Sequence, residues 1–115
     1  MSGQALSSLD QLSQQLTQHP GLLLYFSTPQ CNVCKVLRPK LEALFEEHYP
    51  EIKNCYVDTT VTPEISGQYS VFAVPTIILF LDGKEFVRKS RNFSPIELIE
   101  EVRRPWRSEE RRVGK

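Results

Sequence analysis

The chain has 115 residues, of which 40% are hydrophobic and 24% charged, and its 14 basic and 14 acidic side chains give a formal net charge of zero. This length and composition favour one globular domain and exclude a disordered or collagen-like chain. Zero net charge gives no general attraction to nucleic acid or to an anionic membrane, so we expect neither as a partner.

Cysteine content and apolar runs indicate where the protein works. Residues 1–20 show neither the basic nor the apolar region of a secretory signal. The longest apolar stretch, 71–81, is far shorter than the roughly twenty residues of a membrane helix. Three cysteines, an odd number, fit cytosolic redox or metal chemistry better than a secreted disulfide framework. We therefore expect a cytoplasmic protein.

The first elements in chain order are a helix and a buried strand. Leucines recur at helical spacing from Leu6 to Leu16, a Ser7–Asp10 pair resembles a helix cap, and Pro20 ends the pattern. The apolar run 22–26 is short, which favours a strand buried on both faces.

A second helix is predicted to begin at Cys31 and to end at Tyr49. Pro39 lies inside it and should kink it, because proline removes one backbone hydrogen bond. A strand over 52–58 and a short helix from Thr62 to about Tyr69 follow.

The last third of the chain predicts a hairpin and a helix. Strands over 76–81 and 85–90 flank the two-residue turn Asp82-Gly83. Ser94-Pro95 then begins a helix that we expect to end before Pro105. We thus predict one domain over 1–104 and a basic, flexible tail over 105–115.

This order of elements, α-β-α-β-α-β-β-α, predicts an α/β fold. A βαβ unit followed by a ββα unit gives a mixed four-stranded sheet with helices on both faces. The first helix is an addition at the N-terminus of that arrangement.

Cys31 and Cys34 stand where a buried strand ends and a helix begins. Residues three apart in a helix have Cα atoms on the order of 5 Å apart, within the roughly 4.4–6.8 Å that a disulfide needs. A thiol in the first helical turn faces unpaired N–H groups and the positive end of the helix dipole, which favour the thiolate. We predict that Cys31 attacks and that Cys34, one turn inward and more buried, resolves, with positive charge from Lys35 nearby.

Two other interpretations of the pair are a zinc half-site and a pair of core cysteines. His48 and Cys55 are the remaining candidate zinc ligands, but their spacing matches neither a zinc knuckle nor a zinc ribbon. We predict no metal and no cofactor. Cys55, inside the strand predicted over 52–58, is expected to be a buried apolar residue.

Taken in order, these features resemble the thioredoxin family over about Leu6 to Arg103. The features that carry the resemblance are Cys31 to Lys35, Pro39, Asp58, Val74-Pro75-Thr76 and Asp82-Gly83-Lys84. The resemblance implies the thioredoxin fold, a cis bond before Pro75, and backbone groups of Val74 that bind an extended substrate. It also implies protein disulfide substrates, a mixed disulfide intermediate and a reductase as electron donor.

Several positions near the cysteine pair differ from the family's pattern. Gln30 replaces a tryptophan, Asn32-Val33 replaces Gly-Pro, and Arg91 replaces a glycine that lines the peptide groove. We expect Gln30, Asn32, Val33, Val74, Pro75 and Arg91 to contact substrate. Tyr25 and Asn54 stand in place of a buried acid and its lysine, and a tyrosine with a pKa near 10 is poorly suited to move a proton at neutral pH.

Two functions follow from this sequence. The first is a monomeric thiol–disulfide oxidoreductase that reduces or exchanges disulfides in proteins. The alternative is a thioredoxin-like binding or regulatory module whose cysteine pair is a redox sensor or a relic.

Overall fold

The computed structural model describes residues 4–91 and 93–113, with side chains in the last helix described as far as Trp106. Five strands are found in these residues: β1 (Gln4–Ala5), β2 (Gly21–Ser27), β3 (Lys53–Asp58), β4 (Thr76–Leu81) and β5 (Lys84–Ser90). Four helices accompany them: α1 (Leu9–Gln18), α2 (Asn32–His48), α3 (Pro63–Gln68) and α4 (Pro95–Val113). None of these helices is both long and apolar enough to span a membrane.

The strands form one mixed sheet in the order β1-β3-β2-β4-β5. Strand β2 is parallel to β3 and antiparallel to β4, and β5 returns antiparallel to β4. The mixed sheet is as predicted, but it has five strands rather than four. The additional strand β1 is two exposed residues that pair in parallel with Cys55 and Tyr56, a segment too short to show the alternation that marks a strand.

The sheet divides the core into two layers, and helices cover each of its two faces. Leu23 and Tyr25 of β2 pack with the buried residues of α2 and α4. Leu22, Leu24 and Phe26 pack on the other face, with α1 and α3. Every residue of β2 is buried, as its uninterrupted apolar run predicts.

Helix α1 begins three residues later than the leucine pattern suggests. Its N-cap is Ser8, whose hydroxyl accepts the Gln11 N–H over 3.1 Å, so the predicted Ser7–Asp10 cap is wrong by one residue. Leu6 is buried outside the helix, and its N–H donates to the Tyr56 carbonyl over 2.9 Å. This hydrogen bond to β3 extends the pairing of β1 and keeps Leu6 out of the helix.

The prediction that α4 ends before Pro105 is wrong. The helix continues through Pro105 to Val113. Proline inside a helix costs on the order of 3 kcal/mol, and burial of the next side chain offsets this. Trp106 is only 5% exposed and belongs to the same core layer as Tyr25. Residues 114–115 and the side chains of 107–113 lie outside the described part, so a flexible tail over 105–115 remains a prediction.

The contact between Trp106 and the start of β2 gives a test of this packing. A Cβ added at Gly21 would lie 2.8 Å from Trp106 Cζ3 and 2.9 Å from Ile52 Cγ1. We expect Gly21→Ala to lower the free energy of unfolding by about 1–3 kcal/mol, because the core there is already full. In a Trp106→Ala background the same change should cost less, as measured by urea denaturation.

Gly67 in α3 is the matched control, since a Cβ there meets no atom within 4 Å. Gly67→Ala should leave stability unchanged or raise it by up to about 1 kcal/mol, the difference in helix preference. Equal losses for Gly21→Ala with and without the indole would contradict this packing of Trp106.

Candidate active site

The two cysteines lie at the start of α2, after the loop that follows β2, and are joined by a disulfide. Cys31 is the N-cap of α2, and Cys34 lies in its first turn. Their Cα atoms are 5.3 Å apart, which agrees with the separation expected from helix geometry. The Cys34 N–H donates to Cys31 Sγ over 3.3 Å, so the Cys31 sulfur occupies the capping position that favours a negative charge.

The two sulfurs differ in their access to solvent. Cys34 is only 5% exposed and packs in the core layer of α2, whereas Cys31 is half-buried at the rim of that layer. A substrate can therefore approach Cys31 more readily than Cys34. This difference agrees with the burial that we predicted for the two thiols.

A cleft of about 390 Å³ opens beside the disulfide. Its lining comes from the loop after β2, from α2 and from β3: Ser27, Thr28, Pro29, Cys31, Cys34, Lys35, Arg38, Pro39, Tyr56 and Asp58. The Asp58 carboxylate accepts hydrogen bonds from the Thr60 hydroxyl and N–H, which hold the pKa of Asp58 below its usual value. The cleft thus contains both cationic side chains and an ionised carboxylate.

The loop before β4 lies beside the cysteine loop. The peptide bond between Val74 and Pro75 is cis, and the Pro75 carbonyl accepts the Arg91 N–H over 2.7 Å. A second cleft, of about 320 Å³, contains Val74 and Phe72, and Thr28 lines both clefts. The two loops therefore meet at Thr28.

The predicted contact residues are distributed over these loops. Gln30, Asn32 and Val33 are exposed around the cysteine pair, and Arg91 is exposed next to Pro75, which itself is buried. Asn92, which follows Arg91, lies outside the described residues. Sequence reasoning missed Phe72, which is 90% exposed; its place in the apolar stretch 71–81 gave no sign of this exposure.

Unusual polar groups lie in the core layer below the cysteines. The Tyr25 hydroxyl and Asn54 Oδ1 are buried and make no hydrogen bond to any described residue. Burial raises the pKa of Tyr25 far above its usual value, with a smaller opposing effect from Arg38 and a further increase from Glu42. Tyr25 therefore stays neutral and cannot take a proton at neutral pH, as its residue type suggested.

Arg38 and Glu42 form a partly buried ion pair near Tyr25. The Arg38 Nε lies 3.2 Å from Glu42 Oε2, and the guanidinium carbon lies 3.7 Å from the centre of the Tyr56 ring. Sequence reasoning did not select either residue. The available signal was the spacing, since Arg38 is four residues after Cys34 and Glu42 four residues after Arg38, and such residues share one helix face.

Cys55 is separate from the redox pair. It is a free thiol, 1% exposed, in the core layer on the other face of the sheet. Burial raises the pKa of Cys55 to about 11, although Lys53 partly opposes this shift. Among the described residues no cluster of three or more His, Cys, Asp or Glu side chains could hold a metal ion, so the zinc interpretation gains no support.

Comparison with known proteins agrees with this geometry. The family model for thioredoxin matches residues 5–104. The chain belongs to the thioredoxin family. It is similar to the thioredoxin-like protein YdfQ of Bacillus subtilis, with 33% identity over 102 residues that cover 89% of this chain and 90% of the relative. The thioredoxin of the same organism is 32% identical over 97 residues, which cover 84% of this chain and 92% of the relative.

A solved thioredoxin has the same fold. The oxidized form of mitochondrial thioredoxin 3 from Saccharomyces cerevisiae matches with a TM-score of 0.78 and 25% identity, over 88% of this chain and 93% of that one. The predicted family and fold class are confirmed. Thioredoxins act on protein disulfides with a reductase as partner, and the family together with the Cys31–Cys34 pair supports a general role in thiol–disulfide exchange.

The different environments of the cysteines predict their order of reaction. When the reduced protein is alkylated near pH 8, we expect Cys31 to react first and Cys34 more slowly. Cys55, with a pKa of about 11 and no solvent access, should react only after unfolding. Mass spectrometry of the digested protein gives the three rates. Reaction of Cys55 in the folded protein at a rate near that of Cys31 would contradict the burial described here.

The Tyr25 hydroxyl has no hydrogen-bond partner among the residues that the structure describes, which predicts an unusual gain in stability. Tyr25→Phe removes this buried polar group, so we expect the free energy of unfolding to rise by about 1–3 kcal/mol. Tyr49→Phe is the matched control, because the Tyr49 hydroxyl donates to the Ile99 carbonyl over 2.6 Å. That change should cost about 0.5–1.5 kcal/mol. Urea denaturation of both oxidised proteins tests the difference, and a loss for Tyr25→Phe would show that the hydroxyl has a partner.

Proposed function

We propose that this chain is a thiol–disulfide oxidoreductase that reduces or exchanges disulfides in protein substrates. One observation carries the proposal. A disulfide between an accessible N-cap cysteine and a buried cysteine one turn later lies in a cleft open to solvent. The first sulfur can meet a substrate, and the second is near enough to displace it.

The reaction proceeds in two exchanges. The Cys31 thiolate attacks one sulfur of the substrate disulfide, and the other substrate sulfur leaves as a thiolate that takes a proton from water. Cys34 then gives its proton to water and attacks Cys31 Sγ, which breaks the mixed disulfide and releases the second substrate thiolate to take up a proton. Two electrons have passed to the substrate and the Cys31–Cys34 disulfide has formed. A reductase then supplies two electrons to the Cys31–Cys34 disulfide, which restores both thiols.

The substrate lies in an extended form across the loop before β4. In this proposal the backbone of Val74 binds the substrate main chain, with Pro75 fixing the loop beneath it. Gln30, Asn32 and Val33 contact the substrate on the cysteine side. Arg91 supports the arrangement from the far side, since its N–H binds the Pro75 carbonyl and its exposed side chain makes that rim cationic.

We further propose that the protein works in the cytoplasm as a monomer. Its odd number of cysteines supports the first part, and so does the buried free thiol of Cys55, which forms no disulfide.

Reduction of a protein disulfide such as that of insulin, with dithiothreitol as electron donor, tests the proposed activity. Cys31→Ser should abolish catalysis, because no attacking sulfur remains. Cys34→Ser should accumulate a mixed disulfide with the substrate, detectable by mass spectrometry. Cys55→Ala is the matched control and should leave the rate unchanged, since this thiol lies on the other face of the sheet.

The reduction potential separates this function from the binding module. Equilibration in graded dithiol buffers should show a two-electron transition of the Cys31–Cys34 pair. A value near −270 mV is typical of a reductant and one near −120 mV of an oxidant. If the pair forms no disulfide over this range, or if the Cys31→Ser, Cys34→Ser protein still performs the cellular role, the binding module is the correct interpretation.

A further inference from the structure

Cys34, Arg38 and Glu42 form a stripe along α2. They are spaced by four residues, so they lie above one another on one face of the helix. The side chains of Arg38 and Glu42 are 25% and 9% exposed, respectively, and they form an ion pair at 3.2 Å. This pair is therefore partly shielded from the solvent that weakens exposed ion pairs.

The position of Arg38 is fixed by two partners. Glu42 holds its Nε, and the Tyr56 ring lies against its guanidinium at 3.7 Å from the ring centre. Arg38 and Tyr56 both line the cleft that contains the two sulfurs. A cation held in this way does not have to be ordered when a negative charge develops in the cleft.

We propose that Arg38, held by Glu42 and Tyr56, is the fixed cation that stabilises the thiolate of Cys34 in the reduced protein. This role serves the resolving step of the proposed function, in which Cys34 must lose its proton before it attacks Cys31 Sγ. Burial of Cys34 in the apolar core layer opposes that loss, so a compensating charge is needed nearby.

Other charged or titratable groups near the sulfurs are less suited to this role. Lys35 on α2 and Tyr56 and Asp58 on β3 line the cleft, whereas Glu42 on α2 and Tyr25 on β2 lie close to Arg38. Lys35 is exposed, so water screens its charge. Asp58 is an anion and disfavours a second negative charge in the cleft. Tyr25 has a raised pKa and stays neutral.

The pKa of Cys34 measured in a Cys31→Ser background tests the proposal, because Cys34 then titrates without a neighbouring thiol. The pH dependence of its alkylation rate gives the value. We expect Arg38→Met to raise this pKa by about one unit, a tenfold loss of thiolate at a pH below the pKa. Arg38→Lys, which keeps the charge, should restore most of the difference.

Glu42→Gln should shift the pKa of Cys34 in the opposite direction. Removal of the carboxylate leaves the charge of Arg38 uncompensated, so the pKa of Cys34 should fall and the thiolate should increase about threefold at a pH below the pKa. A purely structural ion pair would instead lower the unfolding midpoint in both variants and would not move the pKa in opposite directions. Circular dichroism establishes that each variant is folded.

The Glu85–Arg88 pair provides the matched control. Its Nε–Oε2 distance is 2.9 Å, and Arg88 is paired in the sheet with Ile78, which faces the layer opposite to α2. Arg88→Met and Glu85→Gln should leave the pKa of Cys34 unchanged. A shift as large as that of Arg38→Met would mean that the effect is general rather than local, and would overturn the proposal.

An unchanged or lowered pKa in Arg38→Met also overturns it. If that variant does not fold, Glu42→Gln decides, because an unchanged or raised pKa there contradicts the proposal equally. The pKa is measured without substrate or reductase. A protein that shows these shifts but reduces no disulfide would therefore refute the proposed function and leave the role of Arg38 intact.

Discussion

The site depends on the pairing of β2 with a strand on each side. In the parallel pair Ser27 is opposite Asp58, and in the antiparallel pair Phe26 is opposite Thr76. Both β2 and β3 therefore end at the edge of the sheet where β4 begins. Because Cys31 follows β2 and Pro75 precedes β4, this register brings the disulfide, the cis-proline loop and the Asp58 carboxylate together. A slip of one residue in either pair would turn every side chain of β2 to the opposite layer, so the buried leucines that stabilise the sheet also position the site.

The polar groups beneath the disulfide show how the chemistry is divided between strand and helix. On β2, where the family usually has an acid, Tyr25 presents a neutral hydroxyl that no described residue pairs with. The charges are found instead on α2, as the Arg38–Glu42 pair. A residue of β2 can approach the sulfurs only through the buried core layer between the sheet and α2. A helix residue four positions after Cys34 instead lines the cleft. Charge on the helix can thus act on the site while it keeps partial contact with water, at a lower desolvation cost than a buried carboxylate.

Sequence reasoning succeeded where a local pattern decided the structure. The apolar run of β2, the Asp82-Gly83 turn and the start of a helix at Cys31 each follow from neighbouring residues, and each is present. It failed where distant residues decided. Strand β1 exists because β3 offers an unpaired edge, and α4 continues through Pro105 because the indole of Trp106 is buried near Gly21. The Arg38–Glu42 pair was hidden for a related reason, because charged residues on a helix are usually solvated and only the fold shows that these two are largely covered.

The two steps of the proposed reaction need different electrostatic support, and the two sulfurs have different surroundings. In the proposed reaction the thiolate of Cys31 forms at the N-cap, where backbone N–H groups and the helix dipole favour it. Cys34 lies one turn further in, where the dipole weakens and burial favours the neutral thiol. The second sulfur therefore depends more than the first on a side-chain cation. Arg38, one turn beyond Cys34 on the same face of α2 and in the lining of the same cleft, is the cation that we propose for the resolving step.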